Sequence, residues 1–120
     1  MKFIEHAGNE LVIEGGSLQT EFPIQSAVEL DQRIIVLLDP DSYLGDPTYG
    51  EDRRRGNNPV RNLRAYARSG KLLWEADFPE QADYYYRLVS SDPLVALSFS
   101  SYECEIDPET GRIISKTFLK

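Results

Sequence analysis

Apolar residues in this chain recur in short runs and not at helical spacing. No long window keeps apolar positions three and four residues apart without a turn residue intervening. Runs rich in Val, Ile, Tyr, Phe and Leu, bounded by Gly, Pro, Asn and Asp, predict β-strands instead. Phe3–His6 and Leu11–Ile13 flank Ala7-Gly8-Asn9 and predict a first hairpin, and Leu18–Phe22 predicts a short strand closed by Pro23. Ala27–Leu30 and Arg33–Leu38 flank Asp31-Gln32 as a second hairpin. The stretch Ile34–Leu38 lacks alternation, as a strand buried on both faces would.

The pattern then fails from residue 39 to residue 61. This stretch holds Pro40, Pro47, Pro59, three glycines and the run Arg53-Arg54-Arg55, and a loop of that length inside a compact domain is uncommon and usually functional or disordered. Strands resume at Leu63–Ala67 and Leu72–Ala76 around Arg68-Ser69-Gly70-Lys71. Tyr84–Val89 and Leu94–Phe99 flank Asp92-Pro93, and Tyr102–Ile106 and Ile113–Phe118 flank Asp107-Pro108-Glu109-Thr110-Gly111. Glu80–Asp83 has room for one helical turn.

Superposing Gly70 on Gly111, 41 residues apart, aligns Lys71 with Arg112, Leu72 with Ile113 and Leu73 with Ile114. Two strands precede each copy, so each half is a four-stranded antiparallel unit, and such units repeating at about 40–50 residues are the signature of propeller blades. The expected fold is all-β: one domain over 1–120, with an N-terminal hairpin and strand in 1–25, a first unit in 26–78 carrying the long loop 39–61, and a second unit in 84–120. A sandwich of the same strands is the alternative.

The repeat resembles the blade motif of quinoprotein-type β-propellers, in which a turn of the form D-x-x-T-G-K precedes a strand carrying Trp. Ile106-Asp107-Pro108-Glu109-Thr110-Gly111-Arg112 matches the turn, and Ser69-Gly70-Lys71-Leu72-Leu73-Trp74-Glu75 matches the strand. The first copy has Ser69 in place of Thr and the second has Ser115 in place of Trp. The resemblance implies local fold only, because a closed propeller needs at least about four blades, so no cofactor site carries over. In size and charge the chain is also similar to small bacterial immunity proteins of polymorphic toxin systems, acidic single domains that bind and block one toxin.

Charge narrows the function classes. Twenty acids against 13 Lys and Arg give a net charge of −7, which opposes nucleic-acid phosphates. No apolar run reaches the roughly 18 residues of a membrane span, and Met1-Lys2 leads into no apolar h-region. With a single cysteine there is no internal disulfide, and a cytoplasmic location is expected.

Catalytic constellations are scarce. The lone histidine, His6, excludes multi-histidine metal sites, and it reads as a surface residue at a strand end and not as the base of a Ser-His-Asp or Cys-His arrangement. Cys104 shares a strand face with Tyr102 and Ile106, so it reads as a small buried hydrophobe. Asp39-x-Asp41 opens like a calcium loop, but Tyr43 stands where a third ligand belongs and Gly45 comes one place late. No cofactor, metal or enzymatic activity is expected.

The expected function is therefore that of a protein-binding inhibitor of the immunity type, neutralising a basic toxin, in particular a nuclease, by occlusion. The alternative is a non-catalytic β-module that homodimerises through sheet edges. Candidate partner-binding residues are the acids Asp41, Asp46, Glu51 and Asp52, the loop anchors Tyr43, Tyr49 and Arg54, and the aromatics Tyr84 and Tyr86, because Tyr and Arg dominate interface hot spots. Within Arg53–Arg55, Arg61, Arg64 and Arg68, internal pairing with acids is the competing expectation.

Overall fold

The computed structural model describes residues 1–47, 60–81 and 83–119. Among them the strands are β1 (Lys2–Phe3), β2 (His6–Ala7), β3 (Glu10–Ile13), β4 (Gly16–Gln19), β5 (Ile24–Leu30) and β6 (Arg33–Leu38). One helical turn, α1 (Asp41–Leu44), follows. The remainder are β7 (Leu63–Ala67), β8 (Leu72–Glu75), β9 (Tyr85–Ser91), β10 (Leu94–Ser98), β11 (Tyr102–Ile106) and β12 (Ile113–Phe118). Every pairing is antiparallel. They form a three-stranded sheet β2-β3-β4, a five-stranded sheet β1-β5-β6-β7-β8 and a four-stranded sheet β9-β10-β11-β12. The fold is all-β, with the two four-stranded meanders that the sequence predicts.

Strand β6 explains how the sheets stack. Its residues Ile34 to Leu38 are all buried, and because side chains alternate across a strand they must enter two cores. Ile35 and Leu37 join Val28, Leu63, Ala65 and Trp74 in packing against Tyr85, Leu88, Leu94, Ala96, Cys104 and Ile106 of the four-stranded sheet. Ile34, Val36 and Leu38 face the other way with Tyr66, and pack with Leu11, Ile13 and Leu18 of the N-terminal sheet. The central sheet is thus covered on both faces. Each fully buried aliphatic side chain stabilises this arrangement by about 1.5–3 kcal/mol.

Both repeat glycines have positive φ, 94° at Gly70 and 78° at Gly111, a region that L-residues with a Cβ resist. Their surroundings differ. A Cβ on Gly70 would meet Leu18 and Ile13 of the N-terminal sheet at 3.6 and 3.8 Å, ordinary contact distances. A Cβ on Gly111 would lie 2.6 Å from Cε3 of Trp74. The indole of the first meander therefore lies flush on the turn of the second, and its Nε1 donates to the Pro108 carbonyl at 2.9 Å. Trp74 is 8% exposed, in the core as its place beside the Gly turn implies.

Asn62, absent from the motifs, forms a second connection between the meanders. Fully buried, its Nδ2 donates to the carbonyls of Leu38 at 3.1 Å and Tyr85 at 2.6 Å, and its Oδ1 accepts from the Tyr85 N–H at 3.0 Å. One amide side chain thus satisfies backbone groups that no ladder partner reaches.

Two expectations are corrected. Phe3–His6 does not form one arm of the first hairpin: Lys2–Phe3 pairs with Val28 and Glu29 at the edge of the central sheet, and only His6–Ala7 pairs with Glu10 and Leu11. A strand so short that its outward residues are all polar or exposed follows whichever edge has free backbone groups. Second, the irregular stretch 39–61 does not run as loop throughout. Its start turns through α1, with the Asp39 N–H donating to the Pro23 carbonyl at 2.8 Å, and Tyr43 folds inward.

Candidate protein-interaction surface

The sequence-predicted residues fall into three groups. Tyr49, Glu51, Asp52 and Arg54 lie outside the described residues. Asp41 and Asp46 are exposed on and beside α1, but Tyr43 is not an exposed anchor. It is 1% exposed, with its ring 5.1 Å from that of Phe22, so it pins the start of the loop to the N-terminal core. On strand β9, Tyr85 enters the core and its neighbours turn outward. Tyr84 is half-buried and Tyr86 is 43% exposed. Because Asn62 ties Leu38 to Tyr85, and Gln25 donates to the Tyr86 carbonyl at 2.6 Å, α1 and the start of β9 sit at the same end of the fold.

Four of the described arginines have an acid partner. Arg33 pairs with Glu109 at 2.8 Å and Arg61 with Asp77 at 2.9 Å. Arg64, buried, is held by Glu21 and by Glu75 at 3.2 Å, and Arg68 by Glu29 and Glu14. Arg61, Arg64 and Arg68 thus serve internal pairing, as their competing reading had it. Glu29 bonds Lys2 as well as Arg68, and these cations hold its carboxyl below the usual value. Such exposed pairs add little stability, about 0–1 kcal/mol each. Their larger consequence is that these four arginines and Lys2 are occupied, whereas some described acids have no ion pair, as is also true of Arg87 and Arg112 among the cations.

Two of those acids stand on the outer face of the four-stranded sheet, the side turned away from the central sheet. Register places Leu97 between Arg87 and Glu103, and Glu103 beside Thr117. The next row is Ser90, Val95, Glu105 and Ser115. Among the described residues neither Glu103 nor Glu105 has an ion pair. Beyond Leu97, Phe99 is 61% exposed and stacks on Tyr84 with centroids 5.0 Å apart and planes at 16°. The face therefore carries an apolar column on β10 that runs on to Phe99, beside an acidic column on β11.

Other features have structural accounts. Buried Asp83 accepts from the N–H groups of Tyr84 at 2.8 Å and Ser100 at 3.2 Å and from the Ser100 hydroxyl, which fastens the β10–β11 turn to the start of β9. Cys104 is buried, and burial pushes its thiol up, away from the reactive thiolate. His6 is half-buried in β2. Asp39 and Asp41 meet only as an Asx-type turn, the Asp41 N–H donating to Asp39 Oδ1 at 3.0 Å. A cleft of about 170 Å³ opens between the N-terminal and central sheets, lined by Ile4, Val12, Ile13 and Ile34 with Arg68 at its rim. It is smaller than ligand pockets of roughly 300–1,000 Å³. Among the described residues no group of His, Cys, Asp and Glu is placed to hold a metal ion, and no helix is long and apolar enough to cross a membrane.

A family model described as a domain of unknown function (DUF7957) matches residues 1–118. The chain belongs to the DUF7957 family. No curated protein and no solved structure matches it significantly.

The sequence pattern left Phe99, Leu97, Glu103 and Glu105 out of the candidate surface, although the signal was present. Placing Tyr102, Cys104 and Ile106 on one face leaves Glu103 and Glu105 on the other.

Proposed function

We propose that this DUF7957 domain is a protein-binding inhibitor of the immunity type, which neutralises a basic partner by covering it. The observation that carries the reading is the division of charge. Arg33, Arg61, Arg64 and Arg68 are each held by the protein's own acids, while in a chain of net charge −7 Glu103 and Glu105 have no ion pair among the described residues. Such a surface steers a cationic partner and repels polyanions. A toxin of the nuclease class, whose substrate-binding surface must be basic, is the partner that fits. The test is co-expression with the product of an adjacent reading frame: the reading expects neutralisation of that product's toxicity and a stoichiometric complex. A toxic neighbour that remains active and unbound overturns it.

The second reading, an oligomerising β-module, is favoured by one observation. Strand β12 is a sheet edge with Ile114 58% and Phe118 53% exposed, and unprotected edges invite a further strand. A dimer that persists at nanomolar concentration would support this module over the inhibitor.

A further inference from the structure

We propose that the outer face of the β9–β12 sheet is the docking surface of this protein, and that its occupant is an amphipathic helix with a basic flank on the partner protein. This rests on the inhibitor reading and names its contact surface.

An antiparallel sheet can leave one face to water, but an apolar column on that face can take a further layer, and a helix is the element that lays a narrow apolar stripe along a single strand. The column Val95, Leu97, Phe99 supplies the matching stripe. Val95 to Phe99 spans about 13 Å at strand rise, or roughly two and a half helical turns. The parallel column on β11 places Glu103 and Glu105 about 7 Å apart, close to the roughly 5–6 Å between residues one helical turn apart. Lys or Arg on one flank of such a helix would meet both carboxylates. Beyond them, Ser115 and Thr117 are short, so nothing on β12 stands in the way of long basic side chains.

Charge complementarity favours this occupant: the Glu103 and Glu105 column calls for a run of cations, and a second copy would bring only Arg87 on the same face. The face also differs from a simple end to the stack. A terminal layer needs only a polar outer surface, whereas this one keeps Phe99 61% exposed and stacked on Tyr84, with Tyr86 43% exposed on the same strand as Arg87. Exposed aromatics of this kind are what hot spots are made of.

The experiment titrates the intact protein with a Leu/Lys amphipathic helical peptide about four turns long, followed by amide chemical shifts. The expected result is saturable binding with shifts concentrated on Arg87, Val95 to Phe99 and Glu103 to Glu105. The double variant Glu103→Lys/Glu105→Lys should weaken binding roughly tenfold or more, and Phe99→Ala by a similar factor. Glu5→Lys/Glu10→Lys, with the same net charge but altered at the N-terminal end of the stack, should bind as the wild type does. Binding absent at ~1 mM peptide, shifts centred elsewhere, or equal weakening by both double variants overturns the proposal. If Glu103→Lys/Glu105→Lys still neutralises an adjacent gene's toxin, this face is wrong while the inhibitor reading stands. If no neighbour's toxin is neutralised by the wild type, the inhibitor reading itself falls.

Discussion

Replacing Gly111 by Ala should cost far more than the same change at Gly70, although both glycines have positive φ. At Gly70 the new methyl meets Leu18 and Ile13 at ordinary distances, 3.6 and 3.8 Å. Its cost is then the backbone term alone, about 1–2 kcal/mol for an L-residue in the left-handed region. At Gly111 the same term applies, but the methyl would lie 2.6, 2.8 and 3.2 Å from Cε3, Cδ2 and Cγ of Trp74. The indole must move. Overpacking of this kind costs about 1–3 kcal/mol, and losing the Nε1 bond to Pro108 adds about 0.5–1.5 kcal/mol. Gly111→Ala should therefore destabilise by roughly 3–6 kcal/mol, a large share of a total on the order of 5–15 kcal/mol. Urea denaturation followed by far-UV circular dichroism measures both variants without relying on the indole. A double-mutant cycle with Trp74→Ala isolates the contact: with the ring gone, Gly111→Ala should cost only its backbone term, leaving a coupling of about 1.5–4.5 kcal/mol. Equal costs at Gly70 and Gly111, or additivity in the cycle, would refute the account of how the two meanders are joined.

Three further outcomes are expected. Asn62→Leu leaves buried backbone groups of Leu38 and Tyr85 without their partner and should destabilise by about 2–4 kcal/mol in the same denaturation assay; a cost below ~1 kcal/mol would mean that water or backbone shifts replace the amide. Burial pushes the Tyr85 phenol well above its ordinary 10.0, so the unfolded chain gives up that proton first; this contribution to stability is intact below pH 10 and is lost as pH rises beyond it, and ultraviolet titration should show a phenol signal, lost in Tyr85→Phe, that appears only with unfolding. Cys104, buried and with its thiol pushed up, should react with a disulfide reagent only at the rate of opening, and rapid reaction of the native protein would contradict its placement.

Much of this architecture was legible because strand patterning is local. The unbroken apolar run Ile34–Leu38 implied burial on both faces, and the structure gives each face its own core. The spacing of Gly70 and Gly111 placed two equivalent turns. What the pattern could not supply was choice of partner. Lys2–Phe3 is too short to carry a periodic signal, so its pairing with β5 instead of β3 was decided by an available edge. Tyr43, in a stretch rich in Pro, Gly and charge, read as an exposed aromatic; its burial depends on Phe22, distant in sequence. Asn62 is one amide in a polar stretch, and its role exists only once Leu38 and Tyr85 are brought together. At the surface, the arginines were readable as pairing candidates, but which acids would remain unpaired required the register of β10 on β11.

The most direct test of the proposed function is the association rate with the product of an adjacent reading frame, measured across a salt series. Steering by an acidic surface predicts a rate that falls steeply as ionic strength rises through the range where the Debye length shortens to about 8 Å, with Glu103→Lys/Glu105→Lys slower than the wild type at low salt. A rate that is indifferent to salt and to those two substitutions would contradict it.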